Sequence, residues 1–421
     1  MTTTSDLGRV RPIHRGAWSA AAPYEPLDIV TYNNRSYFCV QAATAVLPTN
    51  TTYWAIVAEP TGVTISVGKG LMIDGVEAGS ADLSNNRLFK LSVLPETKAS
   101  KRNRHLNPAF QVCQDRATGA STVISSGSAY AFDGAYVFAS GGGALTCQQA
   151  LKTSPGGSPC RLRCTATTAD AAIAASDNYA AVFPIEGVNI ADLLFGTANA
   201  KSFVWRGVVN LPAGTYGLSF YNQSATRSYV TMFTIATGGV DTLVTAVVPG
   251  DTSGTWVLDT SGAGVIARIC FAAGTTWQTA TPGAWNAGNF ITTSAQTNSM
   301  SAINNVFEVC DIGLYKGVEL PDWELGSYAD DLMACRRYYA SMVFSIRANC
   351  TSAYNVHSGN GYFPVTMRTN PSISITPGTR SNIGSLVYTT QTEDSFLAEM
   401  VSAAGGDTLA INERIFGNAR V

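Results

Sequence analysis

Charged residues are scarce in this sequence. Lys, Arg, Asp and Glu together make up 13% of the 421 residues, roughly half the share that is usual in globular domains. Long exposed helices normally carry many Glu, Lys and Arg residues, so this composition argues against them. The 39 glycines, together with abundant Ala, Ser and Thr, favour short strands and tight turns. We therefore predict an all-β protein.

A strong charge of one sign and long apolar runs are also lacking. The net charge of −2 provides no general attraction to nucleic acid or to an anionic membrane. No stretch reaches the roughly 18 apolar residues that a membrane-spanning helix needs. The first residues, MTTTSDLGRVRP, have no apolar signal core, and we expect synthesis in a cytoplasm. Neither a nucleic-acid partner nor membrane insertion is expected.

Metal-binding and disulfide patterns are missing as well. The nine cysteines are scattered and odd in number, and His14, His105 and His357 lie far apart. Zinc sites and disulfide frameworks normally show short, paired spacings. We predict free and mostly buried thiols, and no cofactor. Asp251 in PGDTSG is a candidate calcium ligand, but one carboxylate in a turn is weak evidence for an ion.

Aromatic residues, by contrast, are concentrated near the N-terminus. The segment GAWSAAAPYEPLDIVTYNNRSYFCV (16–40) contains Trp18, Tyr24, Tyr32 and Tyr37 among turn-forming residues. The runs DIVTY and SYFCV predict two strands joined by a hairpin at NNR. The rings either form the core of a small module or present an apolar face to an external ligand. For Tyr32 and Tyr37 the alternation favours the core.

A third strand is predicted in TTYWAIVAE. Tyr53 and Trp54 are adjacent in it, so their side chains point to opposite faces. One of the two rings should therefore be exposed, and we expect Tyr53 or Trp18 to be an exposed ring of this module.

The rest of the chain divides by composition. Residues 59–104 contain few large apolar side chains and predict a linker, or a shaft that gains its core from other copies of the chain. Short strands separated by turn signals follow, and in GVIARICF apolar residues recur with a period of two. This spacing predicts an antiparallel β-sandwich of jelly-roll type. The predicted organisation is an aromatic module at 1–58, the shaft or linker at 59–104, the sandwich at 105–328, a helix at 329–342 and a β-rich C-terminal tip at 343–421.

The N-terminal aromatic pattern resembles the small carbohydrate-binding modules of chitinases, which are also found near the N-termini of bacteriophage tail fibres. The matching residues are Trp18, Tyr24, Asp28 with Ile29 and Val30, Tyr32, Tyr37 and Trp54. The resemblance implies sugar binding through Trp18, Tyr24 and Trp54, and Tyr53 is a further candidate because it is expected to be exposed. In a fibre, the same module would alternatively attach the protein to the virion.

A second resemblance covers residues 105 to about 375. The stretches NPAFQVCQ, LPAGTYGLSFYNQ, VVPGDTSGTW and FEVCDIGLYKGVELPDWELGSYADDLMACRRYY are similar to the sandwich of phage tail fibres and to the segment that leaves it. This resemblance implies a virion receptor-binding protein, an intertwined homotrimer, with tail or baseplate proteins and a host-surface glycan as partners. In fibres the distal end meets the cell, so we expect residues 105–421 to retain cell binding and residues 1–58 alone to bind poorly.

Two further tryptophans are candidate sugar-binding residues. Trp277 and Trp285 flank QTATPGA, a predicted loop, and loop aromatics on a rigid sandwich make good sugar platforms. The alternative is that both rings are pinned against the sandwich or a neighbouring chain.

Catalytic residues are harder to find. Glycoside hydrolysis needs two carboxylates facing a cleft. Asp322, Glu324, Asp330 and Asp331 are grouped in sequence, but their position at a strand-to-helix junction is explained by helix capping and the helix dipole. We therefore expect a protein without catalytic activity. Two rival hypotheses remain open, a tailspike that depolymerises polysaccharide and a purely structural fibre or baseplate component.

Overall fold

The computed structural model describes residues 12–33, 35–58, 102–116, 119 and 122–420, together with the backbone of three short strands at 63–64, 71–73 and 76–79. It divides into two compact units, residues 1–96 and 97–421. The described residues are mostly β-structure with one short α-helix, which confirms the predicted mainly β class. The predicted shaft at 59–104 falls largely outside the described residues.

The N-terminal unit is built around aromatic rings. Strand β3 (Asp28–Tyr32) pairs in parallel with β1 (Ile13–Ala17) and antiparallel with β4 (Arg35–Cys39), which in turn pairs with β6 (Trp54–Ala58). Buried Val30, Tyr37 and Cys39 from this sheet pack on Tyr24 and Trp54. Aromatic rings suit so small a core because each ring buries more apolar surface than an aliphatic side chain. The strands are β1 (Ile13–Ala17), β2 (Pro23–Tyr24), β3 (Asp28–Tyr32), β4 (Arg35–Cys39), β5 (Ala43–Thr44), β6 (Trp54–Ala58), β7 (Val63–Thr64), β8 (Leu71–Ile73) and β9 (Val76–Gly79).

The larger unit begins with eleven strands that form one continuous antiparallel sheet. Their order is β17-β14-β20-β12-β11-β13-β18-β15-β16-β19, with β10 paired to β11. The strands are β10 (Thr122–Phe132), β11 (Ala135–Leu151), β12 (Cys160–Thr168), β13 (Asn178–Glu186), β14 (Phe203–Asn210), β15 (Gly214–Tyr221), β16 (Arg227–Ile235), β17 (Thr242–Val248), β18 (Ala263–Ala273), β19 (Trp285–Ala287) and β20 (Val306–Lys316).

This sheet folds over onto itself as two layers with a common core. Phe307 on β20 stacks on Phe271 on β18 with 4.4 Å between the ring centroids, and Phe203 on β14 meets Phe220 on β15 edge-on at 5.0 Å. Neither pair of strands is adjacent in the sheet. Ring contact between such strands requires one half of the sheet to lie over the other, as in a β-sandwich.

The fold-over occurs in the long hairpin of β10 and β11. The N-terminal half of β11 pairs with β13 and its C-terminal half pairs with β12, so this one strand belongs to both layers. The register with β10 shifts across Gly141–Gly143. Three consecutive glycines therefore lie inside a strand, although their composition is typical of a loop, because a Cβ at Gly141 would lie 2.3 Å and one at Gly143 3.1 Å from neighbouring atoms.

A short helix leads from the sandwich to the C-terminal tip. The helix α1 spans Tyr328–Arg336, with Asp330 and Asp331 in its first turn. It ends earlier than predicted, because the chain from Tyr339 onward pairs with the C-terminal strand. The tip strands are β21 (Tyr339–Cys350), β22 (Val356–Tyr362), β23 (Ser372–Thr376), β24 (Thr379–Ser381), β25 (Ile383–Thr392), β26 (Ser395–Ser402) and β27 (Gly406–Asn418).

The tip contains two small sheets around a thin core. One sheet runs β21-β27-β23 with β24 also paired to β27, and the other runs β22-β26-β25. Phe363, Phe396 and Ile415 are buried between them. Arg380 donates two hydrogen bonds to the fully buried carboxylate of Glu413 at 2.8 and 2.6 Å, and this lowers the pKa of Glu413.

The cysteines form no disulfide bonds, as their scattered spacing predicts. All nine cysteines are free thiols, and eight of them are buried. Burial raises the pKa of the thiols of Cys147, Cys164 and Cys270, which keeps them protonated and unreactive at neutral pH.

None of the helices in the described residues has the length and apolarity needed to cross a membrane.

The contact between sandwich and tip contains a buried acid. Asp133, in the turn between β10 and β11, is 2% exposed and accepts a hydrogen bond from the backbone N–H of Gln114. Arg420 approaches it to 3.6 Å, while the guanidinium of Arg420 also stacks on Tyr130 and Tyr339. Burial outweighs these partners and raises the pKa of Asp133 to about 6.

This raised pKa predicts a pH-dependent stability. A carboxyl whose pKa is higher in the folded state stabilises the fold at low pH and loses that contribution as the pH rises through about 6. We expect Asp133→Asn to increase the free energy of unfolding by about 1–3 kcal/mol at pH 7.5 and to have little effect at pH 4. Chemical denaturation at both pH values tests this, with the exposed Asp394→Asn as control. Equal effects of Asp133→Asn at the two pH values would contradict it.

Candidate binding cleft

The candidate site lies on the face of the sandwich that points away from the core. Along β13 and β18 alternate residues face the core, and the residues between them form a second, non-core face. Cross-strand pairing places Tyr136 beside Val182, Val182 beside Arg268, and Arg268 beside Ser219. One row of side chains therefore crosses four strands on the non-core face.

Four aromatic rings and three polar side chains surround an open cleft of about 200 Å³ on this face. We call it the aromatic cleft. Its rings are those of Tyr136, Phe138, Tyr221 and Trp277. Its polar side chains are Asn178, Arg268 and Asn289.

Arg268 is the charged group of the cleft. Its guanidinium carbon lies 4.0 Å from the centroid of the Tyr221 ring, a cation–π contact that holds the side chain flat against the ring. The Nη2 group donates to Asn289 Oδ1 at 2.7 Å, and Nε makes a long contact of 3.4 Å with Ser219 Oγ. Burial lowers the pKa of Arg268 below its ordinary value, but an arginine remains protonated at neutral pH.

Two other polar groups of the cleft are the Asn178 side chain and the Tyr136 hydroxyl. Asn178 is 2% exposed, and its Oδ1 has no hydrogen-bond partner among the described residues. Burial, and after it the neighbouring Tyr221 hydroxyl, raises the pKa of Tyr136, so its hydroxyl stays protonated. A buried acceptor without a partner is uncommon in folded proteins and is satisfied when a ligand supplies a donor.

Trp277 forms one wall of the cleft. It ends a short 3₁₀ turn that directly follows β18, and its indole N–H donates to the Ser176 carbonyl at 2.9 Å. The half-buried ring packs on Cys270, Ala273 and Ile291. A ring fixed in this way forms a rigid platform, which lowers the entropy lost on binding. The structure thus places this predicted residue in a cleft.

Trp285 has a different environment. Its ring meets Phe195, Tyr229 and Trp256 at centroid distances of 5.2 to 5.7 Å, and its N–H donates to the Pro249 carbonyl at 2.7 Å. The ring belongs to the edge of the sandwich core and does not line the aromatic cleft. Trp285 is therefore pinned against the sandwich, as in the alternative interpretation, and a sugar contact through this half-buried ring stays a prediction.

The N-terminal candidates are mostly structural. Trp54 is 1% and Tyr24 3% exposed, and the two rings pack edge-on at 5.2 Å. Their placement does not fit the predicted sugar contacts, because a buried ring offers no free face. Trp18 and Tyr53 are half-buried against the same core, so the prediction of sugar contact stays open for these two. Trp18 is further constrained by an edge contact with Tyr32 at 5.5 Å.

The acidic candidates take structural positions. Asp331 accepts a hydrogen bond from Gln111 Nε2 at 2.8 Å, and burial raises the pKa of Asp331. Asp330 shares the first helical turn with it, and Asp322 and Glu324 lie on the exposed approach to the helix. Asp251 binds Arg227 through both carboxylate oxygens at 2.7 Å. Its carboxylate therefore serves an ion pair in this structure.

Most residues of the cleft were not predicted from the sequence. Tyr136 and Phe138 share one strand, but Asn178, Tyr221 and Asn289 come from three other segments, so no local spacing connects the whole set. One signal was present, since Arg268 is a single charge at the centre of the apolar strand GVIARICF. A charge at that position implies that the second face of the strand meets something other than an apolar core.

Comparisons with known proteins give remote likenesses only. No protein-family model and no curated protein matches the sequence. The enzymatically active domain of tailspike protein 4 of bacteriophage CBA120 aligns over 51% of this chain and 21% of its own, at 8% identity and a TM-score of 0.25. This chain therefore spans about a fifth of that protein's length.

Carbohydrate-binding modules align over a similar share of the chain. The family 11 module of the Clostridium thermocellum cellulase Lic26A-Cel5E covers 49% of this chain and 100% of its own, at 12% identity and a TM-score of 0.24. The CBM22-1 xylan-binding domain of Paenibacillus barcinonensis Xyn10C covers 49% and 99%, at 9% identity and a TM-score of 0.23. Identities and TM-scores this low do not indicate what this chain binds.

Proposed function

We propose that the protein is a non-catalytic, glycan-binding fibre protein that attaches a phage-like particle to a host-surface glycan. The aromatic cleft is the observation that carries this proposal. Aromatic faces bind the C–H faces of pyranose rings, and polar groups beside them fix the orientation of the hydroxyls. The cleft supplies both, with four rings around Asn178, Arg268 and Asn289.

The fibre setting rests on the sequence resemblance to phage tail fibres. The predicted homotrimer would present three equivalent clefts, and multivalency raises the avidity of weak sugar contacts without any new contact. Exposed apolar side chains on the tip, including Val343, Val356, Tyr362 and Val387, are compatible with contacts between copies. Multi-angle light scattering of the full-length protein tests the trimer, and a folded monomer at micromolar concentration would contradict it.

The cleft is tested by removing its rings from the full-length protein. We expect Trp277→Ala, and separately Phe138→Ala, to weaken binding to host cells or purified surface glycan at least about tenfold, because central aromatic contacts dominate such interfaces. Tyr354→Ala is the matched control, since Tyr354 is an 84% exposed ring of the tip. Binding is measured by titration calorimetry or cell sedimentation, and the fold of each variant is checked by circular dichroism.

The outcomes separate this function from its rivals. Retained binding in both cleft variants would contradict the cleft as the binding site, and a full-length protein that binds no host glycan would favour a structural fibre. Release of new reducing ends from the bound polysaccharide would instead favour a depolymerase.

A further inference from the structure

We infer that the glycan recognised by the aromatic cleft is acidic, and that its anionic group binds against Arg268. This inference rests on the proposed function and specifies the class of ligand. It follows from a buried cation that has no carboxylate partner among the described residues.

Two other buried arginines of the sandwich provide a contrast, whereas Arg206, which is 8% exposed, has a cation–π contact with Trp323 and no ion pair among the described residues. Arg161 pairs with both Asp241 and Glu308 at 2.9 Å, and Arg104 pairs with Asp192 at 2.9 Å. Burying a guanidinium away from water is unfavourable unless an opposite charge or a full set of hydrogen bonds compensates it. In these two cases the protein supplies the compensating carboxylate.

Arg268 lacks such a carboxylate. It is 5% exposed, and the described residues that line the cleft include neither Asp nor Glu. No carboxylate of the described residues lies within salt-bridge distance of its guanidinium, and burial is the main cause of the lowered pKa of Arg268. Its partners are the Tyr221 ring, the amide of Asn289 and the distant hydroxyl of Ser219. All three partners are uncharged.

The donors that remain on Arg268 suit an oxyanion. A guanidinium carries five N–H donors in a rigid plane, and the hydrogen bonds to Asn289 and Ser219 use one donor on Nη2 and the one on Nε. Nη1 makes no hydrogen bond to the described residues. A carboxylate, sulfate or phosphate accepts two parallel bonds from such a fork, which makes the contact strong and directional.

The neighbouring groups fit the sugar that carries the anion. Asn178 Oδ1 is a buried acceptor without a partner, and a sugar hydroxyl can donate to it. The rings of Phe138 and Trp277 offer apolar faces in the same cleft. A neutral sugar would satisfy Asn178 and the rings equally well, but it would leave the charge of Arg268 uncompensated.

The experiment uses the full-length protein and paired ligands. The probes are an oligogalacturonate and its carboxyl-reduced form, a sulfated galactan oligosaccharide and its desulfated form, and a phosphate-containing teichoic acid and its repeating unit without phosphate. Binding is measured by tryptophan fluorescence and calorimetry. We expect at least one anionic probe to bind and its neutral counterpart to bind about 10- to 100-fold more weakly, as the loss of a charge-assisted pair implies. The three anionic probes distinguish carboxylate, sulfate and phosphate. Added salt should weaken the anionic complex.

Variants of Arg268 locate the contact. Arg268→Gln should remove the preference for the anionic probe, Arg268→Lys should keep part of it, and Trp277→Ala should weaken acidic and neutral ligands together. If Arg268→Gln does not fold, comparison of the anionic probe with its neutral counterpart on the unmodified protein still tests the inference.

Each result has a definite meaning. Equal binding of acidic and neutral probes that depends on Trp277 would overturn this inference and leave the proposed function standing. Absence of binding to every probe and to host glycan would overturn both. Anion binding that is insensitive to Arg268→Gln would place the anion elsewhere and also overturn the inference.

Discussion

Replacing Arg161 by alanine is expected to lower the free energy of unfolding by about 3–5 kcal/mol. Arg161 is fully buried on β12 and contacts Glu308, which is 2% exposed, and Asp241. It also donates to the carbonyls of Lys152 and Thr153, so it holds the connection between β11 and β12 against the first residues of β12. Removing the guanidinium leaves the charge of Glu308 buried with only its more exposed partners, and that loss is much larger than the net value of the pair.

A matched surface pair serves as control for this measurement. Arg347 contacts Asp407 at 2.6 Å, but both side chains are about half exposed or more, so Arg347→Ala should change the free energy of unfolding by less than about 1 kcal/mol. The double variant Arg161→Met with Glu308→Leu should recover much of the loss, because it removes both buried charges together. Urea denaturation gives all three values. A loss in Arg161→Ala as small as that in Arg347→Ala would refute the buried-charge argument.

The sequence predicted the positions of the strands better than it predicted which residues on their non-core faces are buried. In GVIARICF the alternation correctly placed Val265, Ala267 and Ile269 on the core. It did not indicate that Ile266 and Cys270 on the other face would also be buried, because the segments that cover this face come from distant parts of the chain. GTWVLD has the composition of a strand, yet it lies in a loop, where Trp256 packs on Phe195 and Trp285.

Chain topology also limits how far a binding site can be predicted from the sequence. Trp277 could be predicted because a loop aromatic carries a local signal. Phe138, Asn178 and Arg268 become neighbours only when β11, β13 and β18 pair in their observed register. A shift of that register by one residue would move all three to the opposite face. Register therefore determines the cleft, and composition and spacing do not reveal register.

The bend at Gly141 is the second position where we expect a large effect. Gly141 has a φ of +151°, a conformation that residues with a Cβ rarely adopt. A Cβ at this position would lie 2.3 Å from the Tyr179 hydroxyl. That hydroxyl cannot easily move, because it donates to Asp170 at 2.7 Å and accepts the Gly143 N–H at 2.7 Å. Strain and overpacking together predict a loss of about 2–4 kcal/mol of unfolding free energy for Gly141→Ala.

Its neighbour Gly142 provides the control, since a substitution there changes the same bend by the same atoms. Gly142 does not have a positive φ, and a Cβ on it would lie 3.8 Å from the Asp170 carboxylate, at ordinary van der Waals distance. Gly142→Ala should therefore unfold at nearly the same urea concentration as the unmodified protein. Tyr179→Phe combined with Gly141→Ala should recover part of the loss, because it removes the atom that clashes. If Gly141→Ala and Gly142→Ala were equally stable, the bend would not be held by Tyr179, and the long β10–β11 hairpin would have to change layers by some other constraint.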